Sequence, residues 1–130
     1  LELNVNSTYH DNAEFIIPAI QQGNIYKDGT TGELKVQLTN AERICTVATY
    51  NVADYEYAIL APNFRAKYVF LDKDGNYLSD VSWVKGKTTI ADIANGAPLF
   101  RVVISADPNQ NPFTVDMFVE QGLALKKAAK

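Results

Sequence analysis

Apolar residues along this chain recur mostly at every second position. Leu34-Lys35-Val36-Gln37-Leu38 alternates strictly, and Tyr55, Tyr57 and Ile59 share one side of an extended segment. Phe100, Val102 and Ile104 oppose Arg101 and Val103. A period of two sends alternate side chains to opposite faces of a sheet, so these segments predict strands. Arg43–Tyr50 is rich in β-branched residues and predicts another, as do Lys87–Ile90 and the alternating Phe113, Val115, Met117 and Val119. Helical periodicity is scarce. Ala91–Ala94 has room for one turn, and Leu123–Lys130 contains good helix formers but is short. We therefore expect a domain over 1–122 and a C-terminal tail or linker over 123–130.

Turn formers punctuate the strands at short intervals. They include Lys27-Asp28-Gly29, Thr31-Gly32, Ala61-Pro62-Asn63, Asn95-Gly96 and the stretch Asp107-Pro108-Asn109 to Pro112. Many short strands at this spacing predict an all-β, antiparallel β-sandwich in a single domain, with at least seven strands. The sharpest signal is Tyr68–Leu78, where two apolar arms flank Asp72-Lys73-Asp74-Gly75-Asn76. Gly75 tolerates a positive φ and Asp72 can bind nearby backbone N–H groups. This predicts a hairpin closed by a two-residue Asp74-Gly75 turn, or by a type I turn with Gly75 in a bulge.

A chain of 130 residues, 47% apolar, can bury one core. The formal charge is −3, and Lys126, Lys127 and Lys130 hold three of the positive charges near the C-terminal end. The body is therefore acidic, which disfavours nucleic acid and anionic membranes as partners. No run of eighteen apolar residues could cross a bilayer as a helix. Cys45 is alone, so the fold must rest on its core rather than on an intrachain disulfide. The opening residues show no basic region followed by an apolar stretch, so no signal peptide is expected. Asn6-Ser7-Thr8 fits a glycosylation sequon, a short motif to which we give little weight.

Catalytic chemistry finds few residues. His10 is the sole histidine and sits in a polar segment, and no nucleophile elbow is present. Cys45 lies in a strand pattern and reads as a small buried hydrophobe. Zinc spacing is absent, so neither metal nor cofactor is expected. Asp54, Glu56, Asp72 and Asp74 could supply paired carboxylates, but acids at turns usually cap and solvate them. Asp72–Asn76 lacks the glutamate of a calcium loop at its twelfth position, which is Trp83. Saccharide binding suits the composition better. Sugar C–H faces stack on aromatic rings and hydroxyls need planar polar partners. The lone Trp83 either plugs the core or lines a site. Arg43 and Arg101 either pair with carboxylates across the sheet or line an exposed face.

Taken in order, several segments resemble a family of jelly-roll carbohydrate-binding modules in phage distal tail and baseplate proteins. They are Gln22-Gly23-Asn24-Ile25, Thr31-Gly32-Glu33, Asn40-Ala41-Glu42-Arg43-Ile44, a strand ending near Tyr57, Tyr68–Leu78 with Trp83, and Ala97–Ile104. The stretch covers about Gln21 to Ser105. Leu71 stands where that family commonly has an aromatic, and Ala97-Pro98 departs from its usual turn. The resemblance implies a galactose-binding-like jelly roll that binds host-surface polysaccharide, beside other tail or baseplate proteins, in a virion or otherwise outside the cell. Carried over by position, it implies Arg43, Trp83 and Arg101 as ligand residues, with Gln22 and Tyr57 beside them. The expected function is non-catalytic saccharide binding. The rival is a structural module making protein contacts only, for which Phe118 on the last strand would supply an apolar patch.

Overall fold

The computed structural model describes residues 14–119 and 122–129. His10, the Asn6-Ser7-Thr8 sequon and Lys130 lie outside them. The fold is all-β and antiparallel. Its strands are β1 (Phe15–Ile16), β2 (Ile20–Gln22), β3 (Asn24–Lys27), β4 (Leu34–Gln37), β5 (Ile44–Thr46) and β6 (Tyr50–Asn51). After these come β7 (Tyr55–Leu60), β8 (Phe64–Leu71), β9 (Tyr77–Val84), β10 (Lys87–Thr89), β11 (Leu99–Ala106) and β12 (Leu123–Lys127). One short helix, α1 (Ile90–Ala94), lies where the single helical turn was expected.

Two sheets face each other. A four-stranded sheet runs β1-β12-β7-β10, and a six-stranded sheet runs β2-β5-β11-β8-β9 with β6 also pairing β11. The core lies between them. Ala58, Leu60, Leu123 and Leu125 come from one sheet, and Ile44, Ala66, Tyr68, Phe70, Phe100, Val102 and Ile104 from the other. The alternation along β11 thus sorts as expected, with Val103 sent to the opposite face.

A second, smaller cluster lies on the outer face of the six-stranded sheet. The β3–β4 hairpin folds over that face, and Ile25 joins Cys45, Val69, Leu71 and Val103 there, all buried. The hairpin can enter because Gly23 turns the chain at φ 139° close to the backbone at Gln37, where a Cβ would lie 2.9 Å from the carbonyl oxygen. The β8–β9 turn takes the type I form with a glycine bulge. Gly75 N–H bonds the Asp72 carbonyl at 2.9 Å, Gly75 sits at φ 86°, and Asp72 Oδ1 accepts from the N–H groups of Asp74 and Asn76.

Three expectations are corrected. Leu123–Lys127, expected as tail or linker, is β12, an inner strand between β1 and β7 with Leu123, Ala124 and Leu125 buried. Its leucines pack into the core at period two, and tertiary burial overrides helix propensity. Phe113–Val119 is not a strand. Phe113 inserts into the core and Val115–Met117 forms a 3-10 turn. Phe118 then folds back, its ring 4.7 Å from that of Phe64, and, half-buried, it lines a groove with Ile17, Pro18, Ile20 and Val119. Tyr55 and Tyr57 part company at an irregularity opposite Lys126 and Lys127. Tyr55 packs on Tyr50 and Phe100 in the core, while Tyr57 meets Phe15 on the outer face of the four-stranded sheet.

Candidate functional site

Register brings Arg43, Ser105 and Arg65 into one row across the outer face of the six-stranded sheet, with Trp83 one step diagonal to it. Ser105 on β11 pairs with Arg65 on β8. Ile104 pairs with Ile44, which sets Arg43 beside Ser105 on the other flank. Ala66 pairs with Val84, which sets Trp83 opposite Lys67 and diagonal to Arg65. Lys67, two residues along β8, points to the same face. The row lies where β8 begins and β9 and β11 end, at one end of the sandwich.

Trp83 lies on the edge strand β9, and the cations of this face converge on it. Its ring is half-buried against the edge of the outer-face cluster. The Arg43 guanidinium carbon lies 4.9 Å from the ring centroid and that of Arg65 4.8 Å, with Lys67 Nζ at 6.0 Å. Cations over an aromatic face are attracted by its quadrupole, which holds them in place without neutralising them. Trp83 is therefore not a plug of the inter-sheet core. Its ring carries guanidinium groups rather than standing bare.

Two loops complete the surroundings. Arg43 Nη1 donates to Asn109 Oδ1 at 3.0 Å, to Ser105 Oγ at 3.4 Å and to the Glu42 carbonyl at 3.1 Å. Ser105 Oγ also donates to Asn109 Oδ1 at 2.9 Å. Asn109 belongs to the loop after β11 and lines a groove with Asn63, Phe64, Asp107, Gln110 and Met117. Lys85 and Asp107 form an ion pair near its rim. On the other side Lys67 Nζ donates to Asn24 Oδ1 at 3.4 Å.

The electrostatics are one-sided. Among the described residues, Arg43, Arg65 and Lys67 have no carboxylate within ion-pair distance. Burial lowers the Lys67 pKa; Asp80 raises it and Arg43 lowers it again. Burial likewise lowers that of Arg43, against Glu42 and with Arg65. Arg65 Nε is buried with no hydrogen-bond partner. The acidic body thus carries a compact cationic spot built around its only tryptophan.

Of the residues expected in a site, the structure brings together Arg43 and Trp83. Arg101 lies on the same face, four residues along β11 and beyond Val103, about 13 Å away at strand rise. Its Nη2 donates to the carbonyls of Thr46 and Val47, at 2.7 and 3.2 Å. It fills the break between β5 and β6, where the ladder to β11 is interrupted. Among the described residues neither arginine pairs with a carboxylate. Tyr57 lies on the far sheet, under Lys87 at 4.2 Å. Gln22 Nε2 lies 2.9–3.0 Å from the carbonyls of Asn40, Arg43 and Phe113, so it pins backbone and supports Arg43 from behind.

Sequence reasoning missed Arg65, Lys67, Ser105 and Asn109. Phe64-Arg65-Ala66-Lys67-Tyr68 alternates apolar with basic, which places both cations outward. Nothing in that alternation names Trp83 as their neighbour. No protein-family model matches the chain, and no curated protein or solved structure matches it significantly.

Proposed function

We propose that this chain is a non-catalytic carbohydrate-binding module of the jelly-roll kind, recognising saccharide on a bacterial host surface as part of a phage tail or baseplate. The observation that supports it is the Trp83 cluster: a tryptophan that carries two guanidinium groups, with a lysine and amides beside them on one exposed edge and no nucleophile–base pair in the cluster. Such a surface can orient hydroxyls and ring faces but offers no group to cleave a bond. Binding at a shallow site is weak, and many copies on one particle would raise the avidity by orders of magnitude. Neighbouring tail proteins are the expected protein partners.

The test is an array of wall polysaccharides from Gram-positive bacteria, probed with the chain and with Trp83→Ala. Retention on at least one polysaccharide, lost in the folded variant, supports the reading. Failure to bind any polysaccharide overturns it. Turnover of glycoside or ester substrates that vanishes on replacing one carboxylate overturns it as well.

A further inference from the structure

Resting on that saccharide-binding reading, we infer that the glycan is anionic, and that Arg43, Arg65 and Lys67 form the subsite for its phosphate or carboxylate groups. Three cations of one sign share a single tryptophan in a chain that has 15 acidic residues and 12 Lys and Arg. Carboxylates were available to neutralise them, yet none is in pairing distance among the described residues. Like charges brought together and partly desolvated oppose folding. A neutral sugar leaves that cost in place, whereas an anion offsets it and gains charge-assisted hydrogen bonds. Low-dielectric walls focus the local potential even when the net charge is negative.

The donors are also still available. The Arg65 guanidinium rests on Trp83 and bonds to no acceptor among the described residues. Lys67 has three N–H donors and one acceptor, Asn24, at the long distance of 3.4 Å. Planar guanidiniums suit the two oxygens of a phosphodiester or carboxylate. The adjoining groove makes the ligand a glycan rather than a bare ion. Asn63, Asn109 and Gln110 supply amides, and Phe64 and Met117 supply apolar wall, beside Asn109, which already touches Arg43. An anionic group on the cluster would place its neighbouring sugar ring in that groove.

The experiment is calorimetric titration of the chain with four polymers: glycosylated poly(glycerol phosphate), polygalacturonate, dextran and oligothymidylate. We expect binding of one or both anionic glycans, weakened by added salt, and no binding of dextran. The phosphate and uronate arms distinguish the two sources of charge. Arg43→Gln, Arg65→Gln and Lys67→Gln should each weaken binding about tenfold, as loss of a hydrogen bond to a charged group does. Thermal melts run alongside. Arg65→Lys keeps the charge on a milder change, and should retain more affinity than Arg65→Gln. Binding of dextran or neutral wall polysaccharide alone overturns the charge inference and leaves the saccharide reading standing. Anionic binding indifferent to all three substitutions, or oligothymidylate binding as tight as either glycan, also overturns it. Failure of every glycan, neutral and charged, overturns both.

Discussion

Gln22 and Phe113 stand 91 residues apart in sequence, yet the Gln22 side-chain amide reaches the Phe113 carbonyl at 2.9 Å. The same amide meets the carbonyls of Asn40 and Arg43, and its oxygen accepts from Val115 N–H at 3.3 Å. One side chain therefore ties together the corner after β2, the approach to β5 and the loop after β11. Removing it leaves the part-buried carbonyls of Asn40 and Phe113 and the Val115 N–H without this partner, while the Arg43 carbonyl keeps Gly23 N–H. Gln22→Ala should cost about 1–3 kcal/mol of stability. Denaturant unfolding measures the loss, and an unchanged midpoint would show that water replaces the amide.

Trp83 and Phe100 should respond differently to truncation. Phe100 is fully buried among Tyr50, Tyr55 and Phe70, so Phe100→Ala should cost about 3–5 kcal/mol. Trp83 is only half-buried and packs on one side, so Trp83→Ala should cost about 1–2 kcal/mol. Saccharide binding should be lost with it, because Arg43 and Arg65 lose the ring that holds them. Paired melting and polysaccharide-binding assays check this. A drop in stability as large as that of Phe100→Ala would make Trp83 a structural residue first.

Cys45 should be slow to react. It is fully buried under the β3–β4 hairpin, burial raises its thiol pKa, and Gln21 Nε2 lies 3.8 Å from its sulfur. The thiolate is the reactive form, so both access and ionisation oppose labelling. A chromogenic disulfide reagent should modify native protein far more slowly than denatured protein. Fast native labelling would mean that the hairpin lifts readily from the sheet.

Stability should fall in alkali through Tyr68. Burial raises its phenol from 10.0 to about 12. Between those values the unfolded chain gives up a proton that the folded chain keeps, so the free energy of unfolding falls as pH rises across that window. Burial and Asp80 raise Tyr77 to about 12 as well, so Tyr68→Phe should remove its own share and make that part of the profile less steep. Denaturant midpoints of the two proteins, compared from neutral pH into alkali, supply the measurement.

The β8–β9 turn should depend on Gly75 by conformation alone. Its φ is 86° and no atom lies within 4 Å of where a Cβ would be. Gly75→Ala should therefore cost about 1–2 kcal/mol for the left-handed backbone, and Gly75→Asn less. Equal costs would point to an unseen packing constraint instead of φ.

Strands and turns were readable because each is a local pattern. Period two identified the faces of β11, and Asp72 with Gly75 identified the hairpin. β12 was hidden because Leu-Ala-Leu-Lys-Lys suits a helix locally, and only burial between β1 and β7 makes it a strand. The period-two run after Pro112 failed for the opposite reason. Phe113 is drawn to Phe64 in the core, and the chain then closes a 3-10 turn. Arg43 and Trp83 were legible as residue types that need a partner or a surface. Their union with Arg65, Lys67 and Asn109 depends on the register of four strands and a loop, which no local pattern encodes.

The antiparallel pairing of β1 with β12 has a mechanical consequence. Phe15 lies opposite Lys126, at the end of β7 near Tyr57, while the other end of β7, at Leu60, turns through 61–63 into β8 and the cationic row. The first and last strands among the described residues therefore lie side by side on the sheet that faces away from Trp83, and Phe15 and Lys126 lie at the far end of the sandwich. On the reading proposed above, an attachment at that end would leave the cationic row at the opposite end of the sandwich. A pull between the two ends would run along the length of the sandwich.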